Sequence, residues 1–354
     1  MKDIYCNIIN IIENETDEDC NICESSIFLD SNDKKHLLKE ILNIILHIGN
    51  NHHRFPGFFT QIEKIILSLK EEILQNFTNI EIFNIFKTNK RILLILIESK
   101  IIEIDKTIVQ QIIKEKPNQF YFYPEIKPFL DEAKNPIIIE DELNIFYKKR
   151  RIGENDSYLC ELIRNDLVEE FISYVNRACI SLSNSIIKSS IYETNQFLLD
   201  RENINLIEYS LFYGSIQIFK YLCFNGVRLS SSLWLFAIHG KDPELIHYLE
   251  ENIVNDDNFS MNECIFESTK CHHNDFAQYF IDMYNSDMYN SDGMNEELLS
   301  KIVEFYNFHF FPNEMNEIML FNLCRFDYKI LAKIVMETVK IDLNCLITFT
   351  NSHV

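Results

Sequence analysis

Apolar residues recur at helical spacing along almost the whole chain, and the breaks between them are short. Residues 34–48 carry Leu37, Leu38, Ile41, Leu42, Ile45 and Ile48 on one face and stop at Gly49-Asn50. This predicts a helix followed by the loop NHHRFPG. Residues 58–77 repeat the pattern through Ile62, Ile65, Ile66, Leu69, Ile73 and Leu74 and predict a second long helix. After Thr78 the rhythm shortens. Residues 78–104 read as helix, turn at Thr88-Asn89, helix, and a second turn at Ser99-Lys100. Residues 107–116 predict a helix stopped by Pro117, and the aromatic stretch QFYFYPEIKPFLDE is expected to pack as a capping segment. The acidic, Asn-rich residues 1–33 suggest a weak first helix and a loosely ordered segment, and 135–153 read as a hinge.

The clearest pattern lies at 205–250. It contains two copies of a short apolar helix, a turn at Gly214 or Gly240, and a second amphipathic helix. In the first copy Ile216, Ile218, Phe219 and Leu222 are apolar, and Asn225-Gly226 closes the helix because glycine enters the left-handed region without a Cβ clash. In the second, Pro243 falls in the opening turn, where its missing N–H costs little, and Leu245, Ile246 and Leu249 form the apolar stripe. One such pair cannot bury its apolar face alone, whereas stacked pairs can. Further units are expected at about 155–176, 203–228, 231–254, 261–284 and 315–344, giving an array over 154–345 with a short tail at 346–354.

Residues 205–227 resemble an ankyrin repeat: Gly214, Ile218, Phe219, Lys220, Leu222, Asn225, Gly226 and Val227 stand where that pattern has such residues. Its Thr-Pro-Leu-His opening is replaced by Asn205, Leu206, Ile207 and Glu208. SYLCELIRNDLVEEFISYVNR (157–177), SIYETNQFLL (190–199), LIEYSLFYGSIQIFKYL (206–222) and LWLFAIHGKDPELIHYLEE (233–251) are also similar to a domain-of-unknown-function family found in ankyrin-repeat proteins of protists. The resemblance implies an all-α fold, a helical region at 34–134 followed by a degenerate ankyrin-type helix-pair solenoid. It implies no catalytic residue, cofactor or metal.

Composition narrows the function classes. Of the residues, 47% are hydrophobic and 25% charged, a globular balance, and the 7 Gly and 7 Pro leave room only for brief turns. A net charge of −21 argues against nucleic acid, whose phosphates require clustered Lys and Arg. The one basic run, Lys148-Lys149-Arg150-Arg151, reads as a solvated helix end or linker rather than a docking patch. The 10 cysteines lack framework spacing, which fits reduced thiols in an intracellular, cytoplasmic protein, with the nucleus left open. The apolar run 92–97 is far below the roughly 20 residues of a membrane span.

Candidate chemistry is sparse. Cys20-x-x-Cys23 has zinc-ligand spacing but no second spaced pair, and Cys271-His272-His273 falls at a repeat turn. No phosphate-binding glycine loop, Ser-His-Asp order or His-Glu-x-x-His occurs. The tandem copy DMYNSDMYNS (282–291) reads as a duplication tolerated in a surface loop. The sequence therefore suggests a monomeric, non-catalytic scaffold that binds another protein. The alternatives are an enzyme with a site in the groove between the first helices and the array, or a structural spacer. The concave face and turns would present Glu208, Tyr209, Arg228, Trp234, His239 and Lys241 to the partner.

Overall fold

Helices hold most of the residues described by the structure, a computed structural model covering residues 1–14, 31–130, 140–253, 260–284, 289–290, 293–312 and 316–338. The fold is all-α. Among the described residues, strand pairing is confined to a two-residue antiparallel hairpin, Tyr289–Asn290 with Gly293–Met294, and a bridge between Ile186 and Asn205. The hairpin takes up part of the second copy in the duplication, and the rest of that segment falls partly outside the described residues.

The first part of the chain comprises α1 (Lys2–Asn14), α2 (Ser31–Asn51), α3 (Phe58–Ser68), α4 (Lys70–Asn76), α5 (Asn79–Phe86) and α6 (Lys90–Glu98). It continues with α7 (Lys106–Ile113), α8 (Lys116–Tyr121), α9 (Tyr123–Ile126) and α10 (Glu140–Ile152). Several boundaries differ from expectation for visible reasons. Helix α1 is a packed amphipathic helix, because Ile4, Tyr5, Ile8 and Ile12 all point into the core. The expected single helix at 58–77 breaks at Leu69, which keeps Leu69 and Ile73 buried and turns Leu74 outward to 44% exposure. Pro117 does not end a helix but opens α8, at a position where its missing N–H is harmless. Much of the expected hinge is helix α10.

Within the basic run Arg150 is a core residue. It makes a two-pronged bond to Glu125 (2.6 and 2.7 Å), donates to the Tyr121 carbonyl and accepts the Tyr121 hydroxyl on its own carbonyl. A planar guanidinium that meets a carboxylate through two parallel bonds fixes orientation as well as distance. Lys149 pairs with Asp156 and Arg151 with Glu98, so three of the four basic side chains are committed within the molecule.

The remainder consists of helix pairs: α11 (Tyr158–Arg164) with α12 (Val168–Arg177), and, after the short α13 (Gln196–Leu199), α14 (Leu206–Phe212) with α15 (Ile216–Phe224). Then come α16 (Leu233–Gly240) with α17 (Pro243–Asn252), α18 (Met261–Lys270) with α19 (Asn274–Tyr284), α20 (Glu296–Glu304), and α21 (Glu317–Arg325) with α22 (Lys329–Thr338). The first helices of successive pairs touch in the order α11, α14, α16, α18, α20, α21. Ile207, Leu211, Ile218, Leu222, Ile246 and Leu249 are buried in one shared core, and Leu235 packs at its margin.

Two glycines permit that contact at its closest point. A Cβ on Gly240 would lie 2.2 Å from the Leu211 carbonyl oxygen and 3.0 Å from the Gly214 nitrogen, so α16 meets α14 backbone to backbone. Gly214 itself takes a φ of +67°. Gly240 does not make the turn expected of it. Lys241, the next residue, does, at φ 53°.

The same turn closes the first helix of each pair with a left-handed residue: Asp166, Gly214, Lys241, His272, Tyr306 and Asp327. At all but Lys241, the following N–H reaches back five residues, as in Ser215 to Ser210, His273 to Ser268 and Tyr328 to Leu323. Lys100 (φ 57°) closes α6 in the same way, with Ile101 donating to Leu96, but its side chain is exposed. A side chain in this region carries a Cβ clash of about 1–2 kcal/mol that glycine escapes, less the extra freedom glycine gives the unfolded chain. Lys100→Gly is therefore expected to raise the unfolding free energy by about 0.5–1 kcal/mol, read from urea denaturation. A loss of stability would show that the lysine side chain supports the turn.

Candidate functional site

Three of the residues expected to meet a partner lie in the core. Tyr209, Trp234 and His239 are each 1% exposed. Neighbouring side chains enclose them: Tyr213 lies against Tyr209, and Phe197 and Phe212 against His239, so no open face remains at these positions. Tyr209 accepts a bond from Arg164 (3.1 Å), and Trp234 packs edge-on against Phe280. Glu208 is half-buried and forms a capping box with Asn205 at the start of α14. Lys241 is ion-paired with Glu13. Arg228 alone is exposed.

His239 instead belongs to a closed polar cluster. Its Nε2 lies 2.8 Å from Glu267 Oε1, and the Cys271 sulfur lies 3.5 Å from the same nitrogen. Glu267 also accepts from Lys270 at 3.0 Å. Burial pushes the Cys271 thiol well above its ordinary range and holds His239 neutral. Burial works against the Glu267 carboxylate, but the bond from His239 and the charge of Lys270 together hold it ionised. A neutral imidazole donating to a carboxylate, beside a protonated thiol, is a resting arrangement. A nucleophilic cysteine requires the opposite polarity, a thiolate near an accessible substrate space.

The same three side chains place donor atoms within 4.8 Å of one another, close enough to suggest a metal. Their chemistry does not favour one. The carboxylate oxygen is already shared by His239 and an ammonium group, and the site is sealed. A catalytic zinc keeps an open position and a structural one takes a fourth ligand. The Cys20–Cys23 pair lies outside the described residues. Among the described residues, no cysteine is joined in a disulfide.

Next to this cluster the turns of the helix pairs meet α1 and α2. Tyr5 on α1 shares a bond of 3.1 Å with His272 Nδ1 and donates to Asn307. Glu13 takes both Lys241 and His52, which bring its carboxyl down to about 2 against the effect of burial. Asn43 on α2 donates to Tyr306 (2.8 Å), and Lys39 donates to Asp327 (2.8 Å). His273 is fixed at both nitrogens: Nδ1 donates to the Ile238 carbonyl and Nε2 accepts from the His53 N–H. Four left-handed turn residues, Lys241, His272, Tyr306 and Asp327, thus carry side chains that dock the first two helices. Sequence patterning placed Cys271-His272-His273 at a turn correctly but gave no sign of Tyr5, Glu13, Asn43 or Lys39, which lie more than two hundred residues away.

The most exposed large apolar side chain among the described residues is Phe224, at 91%. It ends α15, and Asn225, Gly226 and Arg228 after it are also exposed. No described helix is long and apolar enough to cross a membrane. Comparison with protein-family models, with curated proteins and with solved structures finds no match to this chain.

Proposed function

We propose that the chain is a non-catalytic protein-binding scaffold of ankyrin-repeat type, built from stacked helix pairs. The observation that carries this reading is the tip 224–228, where a phenylalanine and an arginine stand in solvent at the end of α15. An aromatic ring left 91% exposed gains nothing for folding, and Phe and Arg are enriched at protein interfaces. On the opposite edge of the stack, four of the six left-handed turns already hold α1 and α2. The binding edge therefore shifts from Trp234 and His239 to the tips between pairs, with Arg228 retained from the residues named by sequence. The resting, sealed state of the Cys271 cluster supports binding rather than catalysis. An intracellular setting accords with the unpaired cysteines among the described residues.

The test is affinity capture with quantitative identification of the bound protein, followed by a measured dissociation constant. Phe224→Ser together with Arg228→Ala is expected to weaken the complex by more than about 2 kcal/mol, roughly thirtyfold, as for loss of a central anchor. The melting temperature should barely move, since surface substitutions stay within about 0.5 kcal/mol. Capture unchanged in the double variant would overturn the assignment of this edge.

A further inference from the structure

Six of the chain's 10 histidines, His47, His52, His53, His239, His272 and His273, gather where α1 and α2 meet the row of turns. His52, His239, His272 and His273 are each at most 2% exposed. The rings of His52 and His273 stand edge-on with centroids 5.0 Å apart, and His47 stacks on Tyr306 at 5.2 Å.

His272 lies under α1, with the Tyr5 ring 5.6 Å from its own. The Tyr5 hydroxyl donates to Asn307 and accepts from Asn274, so the 3.1 Å bond to His272 is donated by the imidazole Nδ1–H. That leaves Nε2 as a bare lone pair, buried and without a partner. A proton arriving there would be an N–H with no acceptor in a place that water does not reach.

The carboxylates of this seam are already matched. Glu13 on α1 accepts from Lys241 and meets His52, Glu267 accepts from Lys270 and meets His239, and Glu304, near His47, accepts from Lys301. The other charges that face the rings are of their own sign. His47 and His52 face His272, while His52, Lys241, His53 and His239 face His273. Lys270 faces His47, and His52, Lys241 and His239 face His53. Burial, reinforced by these neighbours, holds His272 and His273 well below their ordinary range and brings His47 and His53 down to about 4. The Glu13 carboxyl, at about 2, stays ionised while the rings take up protons.

Helix α1 packs chiefly on α2, α3 and the single turn Phe308–Phe310. The pair α18 and α19 is closed by backbone bonds of its own, His272 to Thr269 and His273 to Ser268, which need no particular charge on either ring. We propose that the seam is an acid-released latch: a proton on His272 detaches α1 from the turns and uncovers its apolar stripe, while the stacked helix pairs stay folded. Detachment returns the charged ring to water. It also makes the face of Ile4, Ile8 and Ile12 available for contact. The docked form requires a neutral ring and the detached form does not. Docking is therefore at full strength above about pH 6.5 and weakens as the pH falls below it. The latch is independent of the tip at Phe224.

The test follows amide hydrogen exchange along the full chain at pH 7.0 and 5.0, corrected for the intrinsic effect of pH on exchange. Protection of residues 2–14 is expected to fall about twentyfold at pH 5.0, the effect of one ring whose ordinary value lies near 6.5, while that of residues 206–252 holds. His272→Asn places a residue that does not titrate and tolerates the left-handed φ of 59°. It should keep the change in residues 2–14 below about threefold. If this variant does not fold, the parent chain decides alone. Protection of residues 2–14 retained at pH 5.0, an equal loss in residues 206–252, or the same loss in His272→Asn overturns the proposal.

Discussion

Trp234→Ala is expected to lower the unfolding free energy by about 3–5 kcal/mol, enough to remove much of the stability of an ordinary domain. The ring is 1% exposed, stands edge-on to Phe280, and is among the largest fully buried side chains in the molecule. Truncation therefore removes apolar area and leaves a cavity between α16 and the pair that follows it. Trp234→Phe should cost far less. The indole Nε1–H has no acceptor, so phenylalanine removes an unsatisfied polar group while keeping most of the packing. Urea denaturation of the two variants separates these terms. An alanine variant that melts with the parent would place the ring at a surface and reopen its role in partner binding.

Acid is the second strong perturbant. His272 and His273 are each at most 2% exposed, and burial, followed by the nearby His52, holds both imidazoles well below their ordinary range. The hydrogen bonds of His273 fix the neutral form, because a proton on Nε2 would face the His53 N–H. Unfolded, each ring titrates near 6.5. The folded values are depressed, so the unfolded chain binds more protons as the pH falls below about 6.5. Stability is fully present above that point and lost beneath it, by up to about 1.4 kcal/mol per pH unit for each ring, or about 2–3 kcal/mol for the two. Denaturation midpoints at pH 7.0, 6.0 and 5.0 check this. His273→Gln, which offers a donor and an acceptor without a titrating ring, should flatten the profile by about one fifth, because burial also depresses His47, His53 and His239. A profile flat between pH 7 and 5 would mean that neither ring is held neutral.

Local periodicity carried most of the helix assignment. The pairs around Gly214 and Gly240, the helix at 34–48 and the short-period unit at 78–104 all show the spacing that the folded chain uses. The turns at Gly214 and at Cys271-His272-His273 were legible, but the residue that takes the left-handed conformation was readable only at Gly214. Asp166, His272, Tyr306 and Asp327 take the same left-handed conformation, and nothing in a list of residue preferences singles them out. Their side chains are selected for contacts elsewhere: Asp166 accepts the N–H groups of Gln217 and Ile218, and the others hold α1 and α2. Trp234 and His239 were misplaced for a related reason. A single pair of helices has an open face, and the side chains that cover it, Phe280 over Trp234 and Phe197, Glu267 and Cys271 over His239, come from other elements.

The docking of α1 and α2 onto the row of turns also sets an order of events in folding. Its bonds join residues 228 to 302 positions apart, from Lys241 with Glu13 to Tyr5 with Asn307. Each helix pair, by contrast, closes within a few dozen residues. Contacts between distant positions form slowly, because a long loop must be ordered before they return any energy. During synthesis α1 and α2 emerge long before the turns that receive them exist. Until then the apolar stripe of Ile4, Ile8 and Ile12 can pack only against the neighbouring α2 and α3. The contacts of α1 and α2 with the turns are thus completed only after the last helix pair has formed.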